Sequence, residues 1–223
     1  MANEIIIEKL KNISLFNSLN QDELELLASI SKYELYPKNS TIFYEKEKLK
    51  YIYFLVSGEV KLYKVDRFES EIFLNRLTKN SFIYTVSNLC VNEDDPLGVF
   101  YSVEALRECY VLLIDVKKFK SLFLTKPEIM KGILQESYRS ILQLQYILNR
   151  DIVYDGMAKV AYKICNELES FNNMKKHEVA YCLHLQPETL SRILKKMVRT
   201  NLVELKNGKV SIKNMEILKS IYE

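Results

Sequence analysis

HEVAYCLHLQPETLSRILKKM (residues 177–197) contains two apolar faces at helical spacing, separated by a short connection. Val179, Ala180 and Leu183 make the first face; Leu190, Ile193, Leu194 and Met197 make the second. His184, Leu185 and Gln186 form a tight link, and the small Ala180 lets two helices approach closely. This is the pattern of a helix-turn-helix. Its second helix leaves Glu188, Thr189, Ser191, Arg192, Lys195 and Lys196 off the apolar face, a composition suited to a helix lying in the major groove of duplex DNA.

The flanks extend the motif. Ahead of it, GMAKVAYKICNELES reads as a further helix, and behind it NLVELKNGKVSI holds two β-prone runs joined through Asn207-Gly208, a strong hairpin signal. Three helices followed by a hairpin make a winged helix-turn-helix over 154–223. From Met174 to Glu223 there are ten Lys and Arg against five Glu, a balance of +5; the whole chain carries +3, which leaves 1–173 at −2. A basic module on a slightly acidic body suggests a nucleic-acid-facing end, although charge alone also describes a well-solvated surface.

Glu188 stands out in so basic a segment. The first residues of a recognition helix point at base edges, where a carboxylate accepts from a cytosine amino group, while an arginine one turn later donates bidentately to guanine. Glu188, Ser191 and Arg192 are therefore the base-reading candidates. Thr189, Lys195, Lys196 and Arg199, with Lys206 and Lys209 on the wing, are the candidates for the DNA backbone. The competing reading of Glu188 and Arg192 is a plain helix-surface ion pair, worth a few tenths of a kcal/mol.

Upstream, residues 127–153 contain no Pro after Pro127 and only Gly132 among glycines, enough for a helix of about 40 Å. Leu134, Tyr138, Ile141, Gln145, Leu148 and Ile152 alternate steps of four and three, the seam spacing of a coiled coil, and Ile133, Leu144 and Ile147 add a second stripe. A dimer seam and one wide core-facing stripe in a monomer both fit this spacing. Within 1–126, Asn20 is a plausible helix N-cap before Asp22 and Glu23. From Ser31 to about Val116 the period shifts to short segments rich in Tyr, Ile, Val and Phe, among them TIFYE, YIYFLVSGEVKLYKV, EIFLNRL and YSVEALRECYVLLIDV. Many short strands at this spacing suggest an antiparallel barrel or sandwich. KKFKSLFLTK then returns to helical spacing.

The same residues exclude other chemistries. His177 and His184 are the only histidines, so 1–173 offers none of the ligands that metal-dependent β-barrel enzymes use, and no catalytic residue, metal or cofactor is expected. Cys90, Cys109, Cys165 and Cys182 are scattered, without a C-x-x-C pair, as reduced thiols would be. The longest apolar runs fall far short of the ~20 residues of a membrane span, and MANEIIIEKLKN does not read as an export signal. A cytoplasmic protein is the expectation.

Three stretches carry a family resemblance. LYPKNSTIFYE, FLVSGEVKLY and ETLSR, set in order along nearly the whole chain, resemble the cyclic-AMP receptor protein and fumarate-nitrate regulator family. The resemblance implies an α+β fold: an N-terminal antiparallel β-roll (1–126), a long dimerisation helix (127–153) and a C-terminal winged helix-turn-helix (154–223). It also implies double-stranded DNA, a second copy and RNA polymerase as partners. Glu188, Ser191 and Arg192 spell the fumarate-nitrate regulator subgroup's Glu-x-x-Ser-Arg, whose half-sites resemble TTGA; many members carry Arg where this chain has Pro187. Members that bind cyclic nucleotide have a Gly-Glu segment and a phosphate-holding Arg, replaced here by Ile83-Tyr84 and about Val99. No Lys or Arg occurs from Asn80 to Leu106, so cyclic AMP and cyclic GMP are not expected ligands. Tyr84, Val86, Phe100 and Tyr101 are left either as a pocket for a small neutral or aromatic effector or as core. A regulator of the same fold that binds a ligand or protein partner, with little DNA binding, is the alternative.

Overall fold

The computed structural model describes residues 2–83 and 99–223. They fall into two compact units, Met1–Gln143 and Leu144–Glu223.

Strand period explains the first unit. β1 (Ser31–Tyr36), β2 (Thr41–Phe43), β3 (Tyr51–Ser57), β4 (Glu59–Val65), β5 (Glu71–Thr78), β6 (Ser81–Phe82), β7 (Ser102–Ala105) and β8 (Cys109–Asp115) form two antiparallel sheets, ordered β1-β8-β3-β6 and β2-β7-β4-β5. The run YIYFLV is apolar throughout because β3 is covered on both faces. Ile52 and Phe54 lie with Leu112 and Ile114 of β8 under helices, whereas Tyr53 and Leu55 pack with Val111 and Leu113 between the sheets. The covering helices are α1 (Ala2–Lys11), α2 (Gln21–Ser29) and α3 (Val116–Phe123), joined by the start of α4 (Pro127–Leu148) through Ile129 and Ile133. Asn20 is the expected cap: its Oδ1 accepts from the Glu23 N–H at 2.9 Å, and Glu23 Oε2 accepts from the Asn20 N–H at 2.8 Å. Gly58 turns β3 into β4 at φ +98, and a Cβ there would stand 2.5 Å from Glu108 O. The sequence reading did not pick out α1, which contributes Ile6 and Leu10 to the helix-covered core.

In the second unit α4 stops being α-helical at Leu148 and passes through a π-helical turn, Asn149–Val153, in which the Tyr154 N–H donates to Asn149 O at 2.8 Å. The single helix expected over 127–153 is therefore altered in its last turn. Asp155 caps α5 (Gly156–Asn166), its Oδ1 accepting from the Ala158 N–H at 2.8 Å. A break at Glu167 then separates α6 (Leu168–Asn173) from α5, so four helices precede the wing where three were expected. α7 (Lys176–Cys182), α8 (Pro187–Arg199), β9 (Val203–Lys206), β10 (Lys209–Ile212) and a short α9 (Met215–Lys219) complete the unit. Val160, Ala161, Ile164, Val179, Leu190, Met197, Val210 and Leu218 close one core among them.

Candidate nucleic-acid interface

The helix-turn-helix forms where the apolar spacing placed it. α7 buries Val179, Ala180 and Cys182, and α8 buries Leu190, Leu194 and Met197, three positions on one helical face. Between them the His184 N–H donates to Tyr181 O at 3.1 Å and the Leu185 N–H to Ala180 O at 2.9 Å. His184 itself takes φ 54, the left-handed conformation that lets the chain reverse in so few residues.

Because one face of α8 is committed to the core, the opposite face is offered to solvent. Glu188, Arg192, Lys195, Lys196 and Arg199 are exposed, Thr189 and Ser191 half-buried. Pro187, Glu188, Ser191, Arg192, Lys195, Lys196 and Arg199 line one shallow open surface along the helix. Lys195, Ser191 and Arg199 also border a second depression, with Lys176 of α7 and Leu205 of β9. Among the described residues no ion pair within 4.0 Å joins Glu188 to Arg192, so the surface-pair reading is not realised and the guanidinium is free to meet a ligand.

The wing is a two-residue hairpin. Asn207 (φ 50) and Gly208 (φ 77) both have positive φ, as that turn demands, and Lys206 pairs with Lys209 across it. Both lysines are exposed. Glu204 attracts Lys206 (3.1 Å) and Lys213 (2.8 Å), and its carboxyl is held below the usual range by hydrogen bonds from Lys213, then Lys206. The hairpin is tied down by Asn172 of α6, whose side chain accepts from the Val210 N–H (2.8 Å) and donates to Val210 O (2.9 Å). Asn172 has no motif that would have pointed to it.

The seam candidates share one property. Leu134 (71%), Tyr138, Ile141 (52%), Leu148 and Ile152 (76%) are exposed large side chains, and Gln145 is exposed between them. The second stripe splits: Ile133 is buried in the first unit's core, whereas Leu144 is exposed. Of the effector-pocket candidates, Tyr84 and Val86 lie outside the described residues. Phe100 is 58% exposed, and Tyr101 packs 6.4 Å from Phe43 and donates its hydroxyl to Ile83 O at 2.9 Å. Val99, at the place where the resemblance sets a phosphate-holding Arg, is buried between the sheets. Cys109 and Cys182 are buried and Cys165 half-buried, none of the three in a disulfide; Cys90 lies outside the described residues. Among the described residues no group of three or more His, Cys, Asp and Glu could hold a metal, and no helix is long and apolar enough to cross a membrane.

Comparison with known proteins agrees with this layout. Residues 33–126 match the cyclic nucleotide-binding domain and residues 158–221 match the Crp-like helix-turn-helix domain. The cyclic AMP receptor protein of Thermus thermophilus is 23% identical over 216 residues, covering 95% of this chain and 98% of that protein. A structure from Eubacterium rectale described as a transcriptional regulator of the Crp/Fnr family superposes with a TM-score of 0.66 at 17% identity, over 93% of this chain and 97% of the other. A mutant CooA from Carboxydothermus hydrogenoformans gives 0.72 at 15% identity, over 95% of each. At these identities the superpositions establish the fold.

Proposed function

Because this chain belongs to the Crp/Fnr family of DNA-binding transcription regulators, we propose that it acts as a homodimer. Its two α8 helices enter successive major grooves about 34 Å apart, on half-sites resembling TTGA. Glu188, Ser191 and Arg192 read base edges; Thr189, Lys195, Lys196, Arg199, Lys206 and Lys209 grip the sugar-phosphate backbone. Leu134, Tyr138, Ile141, Gln145, Leu148 and Ile152 form the seam between copies, and a signal in the β-roll shifts that helix pair between DNA-competent and incompetent arrangements. The protein works in the cytoplasm, with RNA polymerase as a further partner.

The observation that carries this reading is α8 itself: an acid, a serine and an arginine stand on its open face while Leu190, Leu194 and Met197 anchor the other. Fluorescence polarisation on a TTGA-containing palindrome, titrated with salt, tests it. Preference for the palindrome over a scrambled duplex is expected, with affinity falling linearly in log salt. Equal binding to both duplexes, or none, refutes it.

Cyclic AMP is not the signal in this reading, although relatives are named for it. A cyclic phosphate is held most strongly by a side-chain cation, and no Lys or Arg occurs from Asn80 to Leu106. Micromolar binding of cyclic AMP in calorimetry would overturn this point while leaving the DNA assignment intact.

A further inference from the structure

Base reading by α8 requires its first turn to be held in one attitude, and that turn follows a link anchored by more than its own backbone. Arg150, in the π-helical turn, is 2% exposed and grips Asp151 with two parallel hydrogen bonds, Nε to Oδ1 and Nη2 to Oδ2, each 2.7 Å. Its guanidinium lies 5.9 Å from the ring centre of Tyr146, which stacks on Tyr162 of α5 at 4.8 Å and 24°. A buried guanidinium stripped of its carboxylate would be strongly unfavourable, so Asp151 is pinned. The same Asp151 Oδ1 stands 3.3 Å from His184 Nδ1, in the link between α7 and α8.

His184 holds its φ of 54 with a side chain of a type that tolerates the left-handed region, and in that attitude its imidazole faces the Asp151 carboxylate. We infer that Arg150, Asp151 and His184 are positioning residues for DNA reading: a pinned carboxylate at the end of the seam helix holds the imidazole, and through it the link that sets where Glu188 and Arg192 point. The inference rests on the DNA reading above. It makes the last turn after α4 part of the recognition machinery, so movement of that turn alters base contacts before it alters phosphate contacts.

The test uses the full chain, a duplex enriched by the wild-type protein from a randomised pool, and a scrambled duplex of equal length. His184→Gly suits the positive φ and removes the imidazole; His184→Asn keeps a side-chain donor in the same conformation. His184→Gly is expected to lose about tenfold in preference for the enriched duplex, with scrambled-duplex affinity and thermal melting little changed, and His184→Asn to recover most of the preference. A purely structural role would lower melting and both affinities together. If the wild-type protein enriches a sequence and His184→Gly discriminates equally well, the positioning role is overturned. If the wild-type protein enriches none, base reading itself fails.

Discussion

Ile141 and Leu148 offer the sharpest test of the seam. Fully burying such a side chain is worth about 1.5–3 kcal/mol. Ile141 keeps 52% and Leu148 55% of its surface in the single chain, so closing a second copy over them recovers roughly half of that, about 1 kcal/mol per side chain. A twofold interface counts each residue twice. The double substitution Ile141→Ala with Leu148→Ala should therefore cost the dimer about 4 kcal/mol, on the order of a 10³-fold rise in its dissociation constant. Sedimentation velocity across a concentration series reads that constant directly. Because these side chains are exposed in the single chain, the far-ultraviolet spectrum of the dissociated variant should match the wild type. A dissociation constant unchanged to within about threefold, or a wild-type chain monomeric at tens of micromolar, would refute the seam.

Three further outcomes are expected. Arg192→Ala should cost about 1–3 kcal/mol on the preferred duplex and relax specificity at one base pair, whereas Lys196→Ala should weaken all duplexes alike and reduce the salt slope by about one; polarisation titrations on base-substituted duplexes separate the two. Gly58→Ala should destabilise the first unit by about 3 kcal/mol, since its Cβ would meet Glu108 O at 2.5 Å and Cys109 Sγ at 2.6 Å in a left-handed backbone; a calorimetric melt shows it as a lowered transition. Burial by itself would raise the Asp151 carboxyl, but the hydrogen bonds and charge of Arg150, then His184 and Lys159, more than offset it and hold the group below its usual 3.8. Its contribution to the second unit is thus complete above that value and lost as pH falls through the lower folded one, so melting should drop below about pH 4, and Asp151→Asn should flatten that drop.

Much of the recognition unit was legible because its determinants are local. The spacing of Leu190, Leu194 and Met197 marks α8's buried face, Asn207-Gly208 marks the wing turn, and Asn20 with Glu23 marks a capping box, each within a few residues of chain. The strands of the β-roll were legible as segments from their β-branched and aromatic content, and the family resemblance supplied their arrangement. Other features were invisible for a matching reason. The break at Glu167 and the π-helical turn after Leu148 carry no such local signal, whereas α1 and α9 were passed over, α9 despite the Asn214 cap that accepts from the Ile217 N–H at 3.1 Å.

What the amino-acid sequence determined alone is which faces are apolar, where the turns fall and that the last fifty residues are basic. Only tertiary structure decided which apolar stripe is covered. Ile133 and Leu134 are adjacent and similar, yet one is sealed in a core and the other 71% exposed, because an α-helix turns about 100° between them and only one side meets the β-roll's helices. Tertiary structure also buried Arg150, a residue type that normally stays in water, by bringing it against Tyr146 and Asp151 and by setting His184, more than thirty residues away in sequence, beside that carboxylate. Spacing along a chain reports the period of an element; it does not report which distant partner makes a buried charge tolerable.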